Sequence, residues 1–119
     1  MSSVELYIPH WHPAPLNALL GGHWSKGHRL KKADRAMIWA YAQGHPKAES
    51  KRRVELTIIL KKGQRAADPD SQFKSLNDAL KQAGLLVDDN RQYVELAPVR
   101  YERGSETDWG TRVVLRDAA

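Results

Sequence analysis

Residues 68–90, DPDSQFKSLNDALKQAGLLVDDN, open on two aspartates and close on two more. Between them Phe73, Leu76, Leu80 and Ala83 recur at i, i+3, i+7 and i+10. That spacing puts all four on one stripe of an α-helix, which must lie on a core. Gly84 comes directly after the stripe and ends the helix, because glycine enters the left-handed region without a Cβ clash. Strand-like runs lie on both sides. Upstream, 53-RVELTIILKK-62 sets Val54, Leu56, Ile58 and Leu60 on one face, with Ile59 adding partial burial on the other. Downstream, 92-QYVELAPVRYE-102 and 108-DWGTRVVLRD-117 read as two strands, with the turn near Gly104 and Ser105 making them a hairpin.

Working outward, 4-VELYIP-9 alternates and reads as a first strand. The stretch from His10 to His28 is dense in Pro, Gly and His and reads as one long loop. From Lys31 to Ala42, Ala33, Met37, Ile38, Ala40 and Tyr41 recur near helical spacing, predicting a helix that stops before Gly44. The order β-α-β-α-β-β over residues 1–119 predicts a single α+β domain, two helices packed on a mixed sheet.

With 19 Lys and Arg against 14 Asp and Glu, the chain carries +5. A small basic domain suits a polyanion, and DNA is the first candidate. The absence of cysteine excludes disulfides and thiolate metal sites. No basic start followed by an apolar run marks a signal peptide, and no apolar run nears about 18 residues. A cytoplasmic protein with no membrane span is therefore expected. No glycine-rich nucleotide loop is present.

Two readings of the acids stand side by side. Asp68-Pro69-Asp70 is a helix start in its own right: an N-cap aspartate, proline at the first position and an acid in the first turn. Asp70 and Lys74, and further along Asp78 and Lys81, then form solvated surface charge. Alternatively, Asp88 and Asp89, just before the next strand, return towards the helix start, and Asp68, Asp70 and Asp89 converge. Three such carboxylates repel unless a cation joins them. Mg²⁺ prefers oxygen ligands and keeps waters, and it activates water against a phosphodiester. Lys74, one turn along from Asp70, would counter the developing charge.

The pattern D-P-D-S-x-x-K-x-x-x-D-A-L-x-x-A-G-x-x-x-D-D resembles the signature of the RusA family of Holliday-junction resolvases. Asp68, Asp70, Lys74, Asp78, Ala79, Leu80, Gly84, Asp88 and Asp89 carry the match, and 8-IPHWHPAPLN-17 is similar to the family's opening strand and Pro-rich loop. The resemblance covers nearly the whole chain. It implies a homodimeric endodeoxyribonuclease that cuts four-way DNA junctions symmetrically with Mg²⁺, or Mn²⁺ in its place. It implies Asp68, Asp70 and Asp89 as metal ligands, Asp88 as a lesser one, and Lys74 as the catalytic lysine. Ser71 departs from the family's usual asparagine and removes an amide that orients a carboxylate. That departure keeps open a junction-binding module without cleavage.

Other residues are read both ways. Lys61, Lys62 and Arg65, just before the acids, are candidates to guide the DNA backbone, as are Lys31 and Lys32 in the basic run that begins at Lys26; a solvated face is the plain alternative. His10, His12, His23 and His28 raise zinc, but no zinc motif accompanies them. Trp11 and Trp24 are core plugs or stacking platforms for unpaired bases.

Overall fold

The period-two and period-3.6 runs fold in the order β1 (Ser3–Pro9), α1 (Leu16–Leu20), α2 (Trp24–Ala42), β2 (Arg52–Leu60), a 3-10 turn (Pro69–Ser71), α3 (Phe73–Gln82), β3 (Val94–Leu96), β4 (Arg100–Arg103) and β5 (Gly110–Asp117). The structure, a computed structural model, describes residues 3–20 and 24–118. It is an α+β fold on a mixed sheet. β5 lies between β1 and β2, antiparallel to both, while β3 and β4 each lie parallel to β2 on its other side.

Alternation selects the inner face. Val4, Leu6 and Ile8 of β1, Val54, Leu56, Ile58 and Leu60 of β2, and Val113 and Leu115 of β5 are buried. They meet Ile38 and Ala42 of α2 and Leu76, Ala79 and Leu80 of α3 in one core. The other sheet face is polar, with Arg53 paired to Glu55 and Glu95, and Arg116 also paired to Glu55. Among the described residues no helix is long and apolar enough to cross a membrane.

Four expectations are corrected. The loop from His10 to His28 contains α1 and the start of α2, so α2 begins at Trp24 and not at Lys31, and the described helices number three. The inward side of α2 is Gly27, Asp34, Ile38 and Ala42, whereas Ala33, Ala40 and Tyr41 face solvent. A Cβ on Gly27 would fall 2.3 Å from the Leu19 carbonyl oxygen, so α1 packs too closely for any other residue. The strand 92–102 is split at Ala97–Val99, because Pro98 has no N–H to donate. Three steps along β2, Val54 to Thr57, answer four along the partner, Leu96 to Arg100, which is a bulge. Finally, β4 and β5 form no hairpin, since β2 lies between them. The Gly104–Asp108 connection instead arches over the end of β2, with the Gly104 N–H donating to the Leu60 carbonyl at 2.7 Å.

A buried guanidinium joins the ends of several elements. Arg52 opens β2 and donates to the carbonyls of Leu85 (3.0 Å) and Pro46 (3.2 Å) and to the Asp117 carboxylate (3.4 Å). It thereby fixes the segments after α2 and after α3 against the last strand.

Candidate functional site

The parallel pairing of β2 with β3 needs a crossover, and α3 supplies it. The acids stand at the two ends of that crossover. Asp68 caps the 3-10 turn: its Oδ1 accepts from the Asp70 N–H at 3.1 Å, and Pro69 takes the first position. The Ser71 hydroxyl donates to the Asp68 carbonyl at 2.7 Å, so it closes the turn and orients no carboxylate. β4 holds this turn from behind. The Tyr101 hydroxyl donates to the Ala67 carbonyl at 2.6 Å, and Arg103 Nη1 donates to the Gln64 carbonyl at 2.6 Å. The N-cap reading of Asp68 is thus realised, although α3 itself starts only at Phe73.

At the other end Gly84 has φ 80° and turns the chain, as its place after the stripe requires. Asp88 Oδ1 then accepts from the Asp89 N–H at 2.8 Å and pairs with Lys81 Nζ at 3.3 Å. The Asp89 backbone N–H, and after it Lys81, hold the Asp88 carboxyl below the usual carboxylate range. Asp78 pairs with Arg35 at 2.7 Å and ties α3 to α2.

Asp70 and Asp89 share a neighbour. Asp70 lines an open groove of about 510 Å³ with Pro69, Phe73, Leu96, Ala97, Pro98 and Val99. Asp89 lines a second groove, about 260 Å³, with Asn77, Asn90, Arg91, Val94 and Leu96. Leu96 of β3, 45% exposed, is a wall of both. The bulge at Ala97–Val99 shapes the first groove, and the β3 strand separates it from the second. Among the described residues no three His, Asp or Glu side chains gather closely enough to hold a metal ion by themselves. Asp68, Asp70 and Asp89 therefore do not form a closed three-acid cage; Asp70 and Asp89 flank a common apolar ridge.

No family model matches this chain, and no curated protein matches it.

Lys74 faces a different hollow, lined also by Leu16, Leu19, Leu20, Gly27, His28 and Lys31. No ion pair joins it to Asp70 among the described residues. Lys61, Lys62 and Arg65 are exposed on the loop between β2 and the acid-bearing turn, and Lys32 is exposed on α2. Lys61 Nζ lies 6.0 Å from the centroid of the Trp109 ring. None of Lys31, Lys32, Lys61, Lys62 and Arg65 forms an ion pair among the described residues, so their charge is available to a polyanion.

The histidines tie loops. Nε2 of His10 bonds the Thr107 carbonyl at 2.7 Å and that of His12 the Ile59 carbonyl at 2.9 Å, with both rings packed on Trp109. His23 and the side chains of Asn17 and Trp24 lie outside the described residues. Trp11 packs against the core, as a plug would.

Two residues escape a reading of the sequence. Asp34 is buried and accepts from the Ala14 N–H at 2.8 Å, from the Ser75 hydroxyl at 2.7 Å and from the Trp11 side chain. Burial raises its carboxyl above the ordinary 3.8 despite these donors. A carboxylate inside a helix reads as surface charge, and nothing local marks it otherwise. Asn77 is the second, in the groove beside Asp89.

Proposed function

We propose that this protein is a metal-dependent, structure-selective endodeoxyribonuclease of the RusA type, acting as a homodimer on four-way DNA junctions. The observation that carries the proposal is the placement of Asp70 and Asp89 on either side of Leu96. Mg²⁺ commonly binds through one or two carboxylates plus the phosphates of its substrate, so it requires no three-acid cage. Asp70 and Asp89 are the carboxylates that would hold it, with Asp68 Oδ2 beside them; Asp88 is drawn away by Lys81. Mn²⁺ suits the same oxygen donors. The bound ion would polarise the scissile phosphodiester and lower the pKa of a water. Lys61, Lys62 and Arg65 would lead the DNA backbone to the acids, and Lys74, with Lys31 in the adjoining hollow, would hold the strand beyond them. Two copies related by a two-fold axis match the two opposed strands of a junction.

The second reading is a junction-binding module of the same fold without cleavage. It is favoured by the commitment of Asp68 Oδ1 and Asp88 to local bonds and by the lack of a three-acid group among the described residues.

A labelled four-way junction and a matched linear duplex, incubated with the protein and Mg²⁺, Mn²⁺ or EDTA, separate the readings. Paired symmetric nicks in the junction alone, and only with metal, are the expected result. Binding without cutting in every metal selects the module. Neither binding nor cutting leaves the acids as caps and surface charge.

The loop cations make a separate prediction. Junction affinity should fall linearly in log–log plots against salt, and Lys62→Ala or Arg65→Ala should each reduce the slope by about 0.9 for every phosphate that is no longer neutralised. Unchanged slopes in both variants would take this loop off the DNA path.

A further inference from the structure

Among the described residues one buried side-chain polar atom has no hydrogen-bond partner, Oδ1 of Asn77. Asn77 is only 8% exposed, and its side chain lines the groove beside Asp89. Leaving such a group unpaired works against folding, and native interiors rarely do so without a use for it. The rest of the groove indicates the use. Val94 and Leu96 are apolar walls, and Leu96 is largely open to solvent. Arg91 and Asn90 form an exposed polar rim. Asn90 Oδ1 is occupied by the Gln92 N–H at 2.9 Å, which leaves its NH₂ group to donate. A volume of about 260 Å³ is below the usual range for drug-sized ligands, so one planar ring system is the natural guest.

We propose that this groove receives a single nucleobase of the DNA strand and reads it through the Asn77 amide. The proposal rests on the nuclease reading for its substrate class and goes beyond it by naming a specificity residue. Apolar walls accept the flat face of a base, an asparagine amide offers one donor and one acceptor to its edge, and Arg91 can hold the attached phosphate. The amide pair matches the N6 and N7 edge of adenine, so adenine is the base expected to bind best. Asp89 lies on the same rim, so the base read would neighbour the phosphate to be cut.

The test needs no cleavage. The ¹⁵N-labelled full chain is titrated separately with dAMP, dCMP, dGMP and dTMP in EDTA, following the Asn77 side-chain amide and the backbone amides of Val94 and Leu96. Saturable shifts at these three positions are expected, with dAMP bound about fivefold or more tightly than the weakest base. Equal affinities for all four, or shifts confined to Lys61, Lys62 and Arg65, would overturn the pocket and leave only phosphate binding. Another base bound tightest at Asn77 would keep the pocket and refute adenine. Asn77→Leu should abolish the base dependence while its Tm equals or exceeds that of the native protein, because an unpartnered polar group has been removed. A lowered Tm with unchanged base dependence would make Asn77 a structural residue. Because metal is absent throughout, a protein that reads bases here but never cuts junctions refutes the nuclease alone, and one that cuts without base-dependent shifts refutes this pocket alone.

Discussion

Asp70→Asn should abolish metal-dependent junction cleavage, lowering the rate by about 100-fold or more, while the protein still folds and still binds junctions. Asp70 is exposed, and the bond that closes its turn uses its backbone N–H, so the asparagine keeps the local structure. The Tm should stay within about 2 °C of the native value, as surface substitutions usually do. Affinity in EDTA should be unchanged or slightly higher, since one negative charge leaves the path of a polyanion. The informative comparison is single-turnover cleavage at saturating protein with Mg²⁺ or Mn²⁺. Loss of folding and binding together would remove Asp70 from the metal set. Full cleavage would do so as well.

Asp34→Ala should be the most damaging single change to stability, at about 3 kcal/mol and roughly 10 °C in Tm. Its carboxylate is the shared acceptor for the Ala14 N–H, the Ser75 hydroxyl and the Trp11 side chain, and removing it strands three donors at a buried junction of α2, α3 and the Pro-rich segment. Asp34→Asn separates charge from shape and gives a pH signature. The native carboxyl titrates above the unfolded one, so the folded state binds this proton more tightly. The stability from this group is therefore full below the unfolded pKa and is lost as pH rises through the folded value. The native protein's advantage over Asp34→Asn should be greatest near about pH 3.5 and shrink towards about pH 7. An advantage that grows with pH would contradict the assignment. Denaturant titrations across that range measure it.

What the sequence makes legible is whatever local pattern controls. α3 is readable because Leu76, Leu80 and Ala83 recur without interruption and Gly84 adopts the conformation its position requires. The start of α2 is not. Its inward positions there hold Gly27 and Asp34, residues that read as a breaker and as surface charge, and their role exists only because α1 and Ser75 come against them. A hairpin of β4 and β5 is the simplest expectation, yet pairing is decided by which strands are apolar on the inner face, and β5 pairs with β1 and β2. At the site, the cap at Asp68 and the neighbourhood of Asp88 are local and readable. That Asp70 and Asp89 flank Leu96, with Asn77 beside them, depends on where β3 docks and is visible only in three dimensions.

The place of β5 in the sheet bears on how the chain assembles during synthesis. β1 and β2 make no ladder with each other; each bonds to β5, as in the pairings of Leu6 and of Leu56 with Val113. β1 must wait about a hundred residues for its only neighbour. While the ribosome is still adding those residues, an early strand and the middle of β2 expose bare backbone groups, and Arg52 lacks its Asp117 partner. Pairings so distant in sequence make folding slow and leave open strands vulnerable to other chains. A nascent chain stalled before residue 110 would thus hold both helical layers and half a sheet, with the missing half at its centre.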